Sequence, residues 1–318
     1  MTKVIDIIRK AERPFASFEL VPPLKGTDCK TLIRSLEPIF DFHPPFINVT
    51  FHRDEVEFQL NSDGSYTRQV LTRRPGTIAM TAAIMRHYDG EVVPHVVCGG
   101  ASMMRIESEL LDLNFLGIDN VMALRGDAMP GQKRFQPDVN GFAHSDELVS
   151  MISELNKGHY LDPNVKQGVA TNFCVGVAGY PEKHADAANL DVDIANLKRK
   201  VDAGADYIIT QMFFDNTRFY EFVNRCRAAG ITVPIIPGLK PLSGIRQIEM
   251  LPRTFHLDIP RELTDEINAA KSKDAVYEIG KEWCLNQCRD LLAHGISAIH
   301  FYTMGKSENV MGIVKALF

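Results

Sequence analysis

Glu19 stands at the close of the apolar run FASFEL, three residues before the Pro22–Pro23 pair that stops it. Carboxylic acids are seldom buried without a partner. One held at the mouth of an apolar strand faces the end of the fold where chemistry is done. Comparable groups close the other apolar runs: Thr50, His95, Arg125 with Asp127, Tyr180, Gln211, Lys240 and Tyr302. Each can donate, accept or titrate. Loops are polar anyway, but a reactive group at the end of every run is more than that accounts for. Lys240, in PGLKPL, also offers the amine of a Schiff-base lyase.

The elements that must position these groups repeat one local grammar. LGIDNVMAL, AGADYIITQ, AGITVPIIP and HGISAIHFY each place a Gly after a helix and an apolar strand just beyond it. Gly there takes the left-handed conformation that ends a helix. Successive units of this kind build a parallel sheet. Eight strands are predicted, near 15–20, 46–50, 94–98, 120–125, 172–179, 206–213, 233–238 and 297–303. Most are continuous apolar runs, as in strands covered on both faces. Between them LDVDIANLKRKV is the clearest helix, with Leu190, Ile194, Leu197 and Val201 on one face.

Eight βα units in one chain predict a TIM (β/α)8 barrel, a fold of about 250 residues before insertions. A doubly wound nucleotide-binding sheet normally carries G-x-G-x-x-G after its first strand, and none is present. MGKSEN resembles the tail of a phosphate-binding loop, but His300 stands where that loop needs its first Gly. VEFQLNSDGSYTRQV, a β-hairpin around Asp63–Gly64, and the helix TIAMTAAIMRHY form an insertion at about 51–92, between strands 2 and 3. The expectation is one catalytic barrel over residues 1–318 with no regulatory domain after VKALF.

The 318 residues are 45% hydrophobic, and the formal net charge is −5 without a basic block, which argues against nucleic acid as a partner. No window approaches the roughly 20 apolar residues of a membrane span. The start, MTKVIDIIRKAERPF, has no signal-peptide core. Six cysteines lie scattered without a C-x2-C pair, so no metal site is expected and the thiols fit a reducing cytoplasm.

SFELVPP, PHVVC, ALRGD, GYPEKH, NLKRKVDAGAD, ITQMFFD, IIPGL and HFYT follow one another in this order. Together they resemble methylenetetrahydrofolate reductase in its bacterial single-barrel form, from about residue 15 to the C-terminus, with 51–92 matching least. The resemblance implies a cytoplasmic flavoprotein, commonly a homo-oligomer, with FAD at the strand C-termini. Hydride passes from NADH or NADPH to the flavin, then to 5,10-methylenetetrahydrofolate, giving 5-methyltetrahydrofolate for methionine synthesis. A protein electron donor stays open.

Residue by residue, the match makes Glu19 the general acid that opens the folate's five-membered ring. Asp127 becomes the carboxylate beside flavin and pterin, with Gly126 letting the backbone approach the ring. Gln211 becomes the amide shared by pterin and nicotinamide. Thr50, His95, Arg125, Ala143, Tyr180 and His184 match FAD contacts. Asn189, Asp193, Asn196 and Lys200 recur at helical spacing, which alone reads as a solvated face. The resemblance instead gives Asp193, Asn196, Arg199 and Lys200 to the nucleotide half of FAD. Gln247 matches a substrate contact.

Three departures stand out. Lys306 replaces an Arg tied to the folate tail, keeping charge without the bidentate fork. Leu251 aligns with a stacking aromatic. FHRDE follows Thr50 where the family has small residues. Rival readings are the Lys240 lyase and a folate or flavin carrier without turnover, which needs no Glu19.

Overall fold

The computed structural model describes residues 2–129, 132–305 and 307–318; Lys306 lies outside them. Eight parallel strands close into a barrel: β1 (Phe15–Leu20), β2 (Phe46–Val49), and, after the hairpin β3 (Glu55–Leu60) and β4 (Tyr66–Leu71), β5 (Glu91–Val97), β6 (Asn120–Leu124), β7 (Cys174–Gly179), β8 (Tyr207–Met212), β9 (Ile235–Leu239) and β10 (Ala298–Tyr302). β1 pairs with both β2 and β10, so the ring closes where the first strand meets the last. Helices α1 (Val4–Lys10), α2 (Cys29–Phe40), α3 (Thr77–Met85), α4 (Met103–Phe115), α5 (Ser145–Leu155) and α6 (Leu190–Asp202) alternate with the strands. They are followed by α7 (Asn216–Ala228), α8 (Gln247–Phe255), α9 (Arg261–Ala269), α10 (Lys273–Ala293) and α11 (Glu308–Leu317).

The glycines of the four junctions, Gly117, Gly204, Gly230 and Gly295, all take positive φ, as helix-ending residues there must. α6 begins on an N-cap: the Asn189 side chain accepts from Val192 N at 2.9 Å. That removes Asn189 from the polar stripe. β5 starts three residues earlier than expected. Pro94 sits inside it opposite Val49, and its missing N–H leaves the flanking pairs Val93–Asn48 and His95–Met122 intact.

Three apolar clusters carry the packing. The largest joins strands to helices through Phe18, Ile47, Val121, Phe213 and Phe301. Burying a side chain of this size contributes roughly 1.5–3 kcal/mol. A second, with Val4, Ile5, Phe46, Met122 and Tyr207, lets α1 plug the N-terminal end of the barrel. A third packs α8, α9 and α10 together and includes Leu251, which is fully buried.

The register of β8 on β9 shifts between Ile209 and Met212. Gly238 N donates to the Thr210 side chain at 2.9 Å, and a Cβ at Gly238 would lie 2.2 Å from Thr210 O. Irregularities of this kind redirect nearby side chains, here at Gln211. In the hairpin, Val56, Phe58 and Leu60 share a face with Tyr66, Arg68 and Val70. The opposite face pairs Gln59 with Gln69 and Arg73 with Glu55 and Glu57.

Candidate functional site

Glu19 is the penultimate residue of β1, opposite Tyr302, with its side chain 19% exposed. Burial pushes its carboxyl up from the ordinary range to about 8. Its facing group is His95, 3.7 Å away. Burial, then the charge of His52, pushes His95 down to about 3. At neutral pH the two are therefore a protonated acid beside a neutral imidazole, not an ion pair. The Asn48 amide stands 3.4 Å from the same His95 Nε2, and its own oxygen has no partner among the described residues. Thr303 Oγ1 donates to the Glu19 carbonyl at 2.7 Å and fixes the strand end beneath the carboxyl.

Beside this pair lies a cationic corner. Arg125 extends from the end of β6 and pairs with Asp186 at 2.7 Å rather than with Asp127. Its guanidinium and that of Arg53 both rest on the Phe135 ring, 5.1 and 5.4 Å from the centroid. Asp127 is exposed at the rim. Gly126 has φ of +85°, and a Cβ there would sit 2.5 Å from Val97 Cγ1. A side chain there would be strained and would have to displace the Val97 side chain.

The third part gathers around β7 and α6. His184 N donates to the Asp193 carboxylate at 2.9 Å, and the Tyr180 and His184 rings meet edge to face at 4.8 Å. Burial brings His184 down to about 4 and Lys200 down to about 8, while Asp193 is raised. Lys200 donates to Ala178 O at 2.9 Å and lies 5.9 Å from the Tyr180 ring centroid. Arg199 diverges from its neighbour: it is exposed and pairs with Asp146 at 3.2 Å. Asn196 is half-buried on the same helix.

Several expected contacts are already engaged within the chain. Ala143 N donates to Glu147 at 2.7 Å. Thr50 Oγ1 lies 3.1 Å from His52, Gln211 accepts from Met212 N at 2.9 Å, and Gln247 accepts from Ser243 N at 2.8 Å. Tyr302 turns inward and donates to Thr210 O at 2.6 Å. Leu251 offers no surface to a ligand. Lys240 is 3% exposed, with its ammonium 3.4 Å from Pro241 O, a poor setting for an amine that must reach a carbonyl.

Asn48, Arg53, Asp186 and Phe135 escape the reading of the sequence. Arg53 alone left a signal there, as a cation just after a strand end in FHRDE. The corner can hold a planar, anionic ligand, with Arg53, Arg125 and Lys200 supplying charge. Among the described residues no group of three or more His, Cys, Asp or Glu side chains is arranged for a metal.

Residues 3–318 match the family model for methylenetetrahydrofolate reductase. The chain belongs to the methylenetetrahydrofolate reductase family. It is 31% identical to methylenetetrahydrofolate reductase (NADH) 1 of Arabidopsis thaliana over 99% of this chain and 50% of that protein. The chain thus spans about half the length of the plant relatives it matches. It is 28% identical to 5,10-methylenetetrahydrofolate reductase of Escherichia coli, over 95% of this chain and 90% of that one. Among solved structures, a Clostridium thermocellum protein described as binding two copies of 5-methyl-5,6,7,8-tetrahydrofolic acid superposes with a TM-score of 0.58 at 15% identity. It covers 98% of this chain and 97% of its own, a likeness of fold.

Proposed function

We propose that this protein reduces 5,10-methylenetetrahydrofolate to 5-methyltetrahydrofolate, with hydride passed from NADH or NADPH through FAD. The observation that carries the reading is Glu19: a carboxyl that keeps its proton to about pH 8, at the mouth of a barrel of this family. The folate ring must open before its methylene carbon can accept hydride, and opening requires a proton on the departing nitrogen. Glu19 delivers that proton, and neutral His95 leaves it available by not drawing it into an ion pair. FAD, when bound, supplies a hydride acceptor and donor.

The remaining residues bind and orient. Arg125, Lys200 and Arg199 offset the diphosphate charge, with Asp193 and Asn196 beside them on α6. Gly126, Thr50, His95, Ala143, Tyr180 and His184 would hold the flavin. Asp127 accepts pterin hydrogen bonds and opposes added negative charge on the flavin. Gln211 presents a donor and an acceptor to the mixed edge of the pterin. Gln247 and Lys306 serve the substrate. The reading includes a homo-oligomer in the cytoplasm; no helix among the described residues is long and apolar enough to cross a membrane.

The test is the visible spectrum of the purified protein before and after anaerobic NADH or NADPH. Bleaching of a flavin band, and its return on adding methylenetetrahydrofolate, is the expected result. A protein that is colourless and takes up no added FAD would overturn the reading.

A further inference from the structure

Arg53 follows β2 in the stretch FHRDE, and its guanidinium lies across the ends of two other strands. A Cβ at Gly99, just past β5, would fall 1.1 Å from Arg53 Nη2, and one at Gly126, just past β6, would fall 3.1 Å from it. Two neighbouring glycines therefore open the slot that the guanidinium fills. Within it Nη2 is buried and has no hydrogen-bond partner among the described residues. A charged donor left unpaired is costly, and such costs persist where a ligand repays them. The other face of the guanidinium rests on Phe135.

The charges around Arg53 fix what it can do. Asp138 and Asp127 face it as anions and Arg125 as a cation, while burial makes its charged form less favourable than in water. Asp127 disfavours added negative charge in this corner, and Arg53 favours it. We propose that Arg53 is a positioning cation for the flavin that stabilises its reduced form and offsets Asp127. The inference rests on the flavin reading above. Hydride transfer brings two electrons and one proton, so the ring system gains one net negative charge at its pyrimidine end. A fixed guanidinium stabilises that charge more than the neutral oxidised ring.

The test compares Arg53→Gln and Arg53→Lys with wild type as FAD-loaded protein. Potentials are measured by anaerobic equilibration with a reference dye, and thermal unfolding checks the fold. In Arg53→Gln the affinity for reduced relative to oxidised flavin is expected to fall about tenfold, a potential lower by about 30 mV. Arg53→Lys should lie close to wild type, because charge and not the fork is what acts. An unchanged potential in Arg53→Gln, or an equal shift in both variants, would overturn the proposal while leaving the flavin reading intact. Loss of oxidised-flavin affinity alone would likewise overturn it and make Arg53 an anchor. Failure of the wild type to bind FAD would remove the flavin reading itself.

Discussion

The two ends of the barrel treat buried polarity in opposite ways. At the N-terminal end Asn120 accepts from Val4 N at 2.8 Å and donates to Thr2 O and Glu91 at 3.0 and 3.1 Å. Asp206 there accepts from Val175 N at 2.7 Å. Only the Tyr207 hydroxyl lacks a partner among the described residues at that end. At the C-terminal end the Asn48 oxygen, Arg53 Nη2 and a Glu182 oxygen all lack a partner among the described residues. Glu19, His95, His184 and Lys200 are each driven toward their neutral forms by burial. Satisfied groups stabilise a fold; unsatisfied ones at one shared mouth mark where a ligand completes the structure.

That contrast can be broken by substitution. Glu19→Gln should lower folate turnover by roughly 10²–10⁴-fold. Reduction of the flavin by nicotinamide should stay near wild type. Turnover at the wild-type rate would remove the proton-donor role. At the opposite end Asn120→Ala should do the reverse, because it strands the partners of three hydrogen bonds. A loss of about 2–3 kcal/mol is expected in urea titration, with turnover per folded molecule unchanged. A drop in turnover without a drop in stability would show that the division between the ends is false.

Lys200→Met sharpens the comparison further. It removes a desolvated cation, so stability should hold or rise by up to about 1 kcal/mol. Affinity for FAD should weaken about tenfold by flavin fluorescence titration, the cost of one charge-assisted contact. Unaltered affinity would take Lys200 out of the site.

A pH slope probes the acid itself. Glu19 holds its proton in the fold up to about pH 8 and, unfolded, only to about 4.5. Its burial carries no ionisation cost below the lower value, and stability falls as pH rises through the window between them. His95 acts with the opposite sign, since its folded value of about 3 lies below 6.5 and stability is lost as pH falls through that range. The difference in unfolding free energy between wild type and Glu19→Gln isolates the first group and should decline from pH 5 to 8. A flat difference would mean that Glu19 ionises in the fold as it does in water.

The barrel was legible because its grammar is local. A Gly that ends a helix and an apolar run beyond it announce each unit without reference to distant residues, and the hairpin announces itself through Asp63–Gly64. The strand-end groups Glu19, His95 and Arg125 were legible for the same reason. What stayed hidden depends on closure. Asn48 lies inside the buried strand FINV, and only the pairing of β2 with β5 brings it to His95. Asp186 and Phe135 belong to loops that fold back over the strand ends to reach Arg125. Leu251 aligned with a ligand-facing aromatic, yet the packing of α8 on α9 and α10 turns it into the core.

Glu19 lies at the seam of the ring, where β1 pairs with β10 and Thr303 reaches back to its carbonyl. Its environment, opened by His95, is closed by a residue 284 positions further along the chain. The proton donor is thus complete only when β1 and β10 have paired, and an unclosed barrel carries the acid's sequence without its full setting.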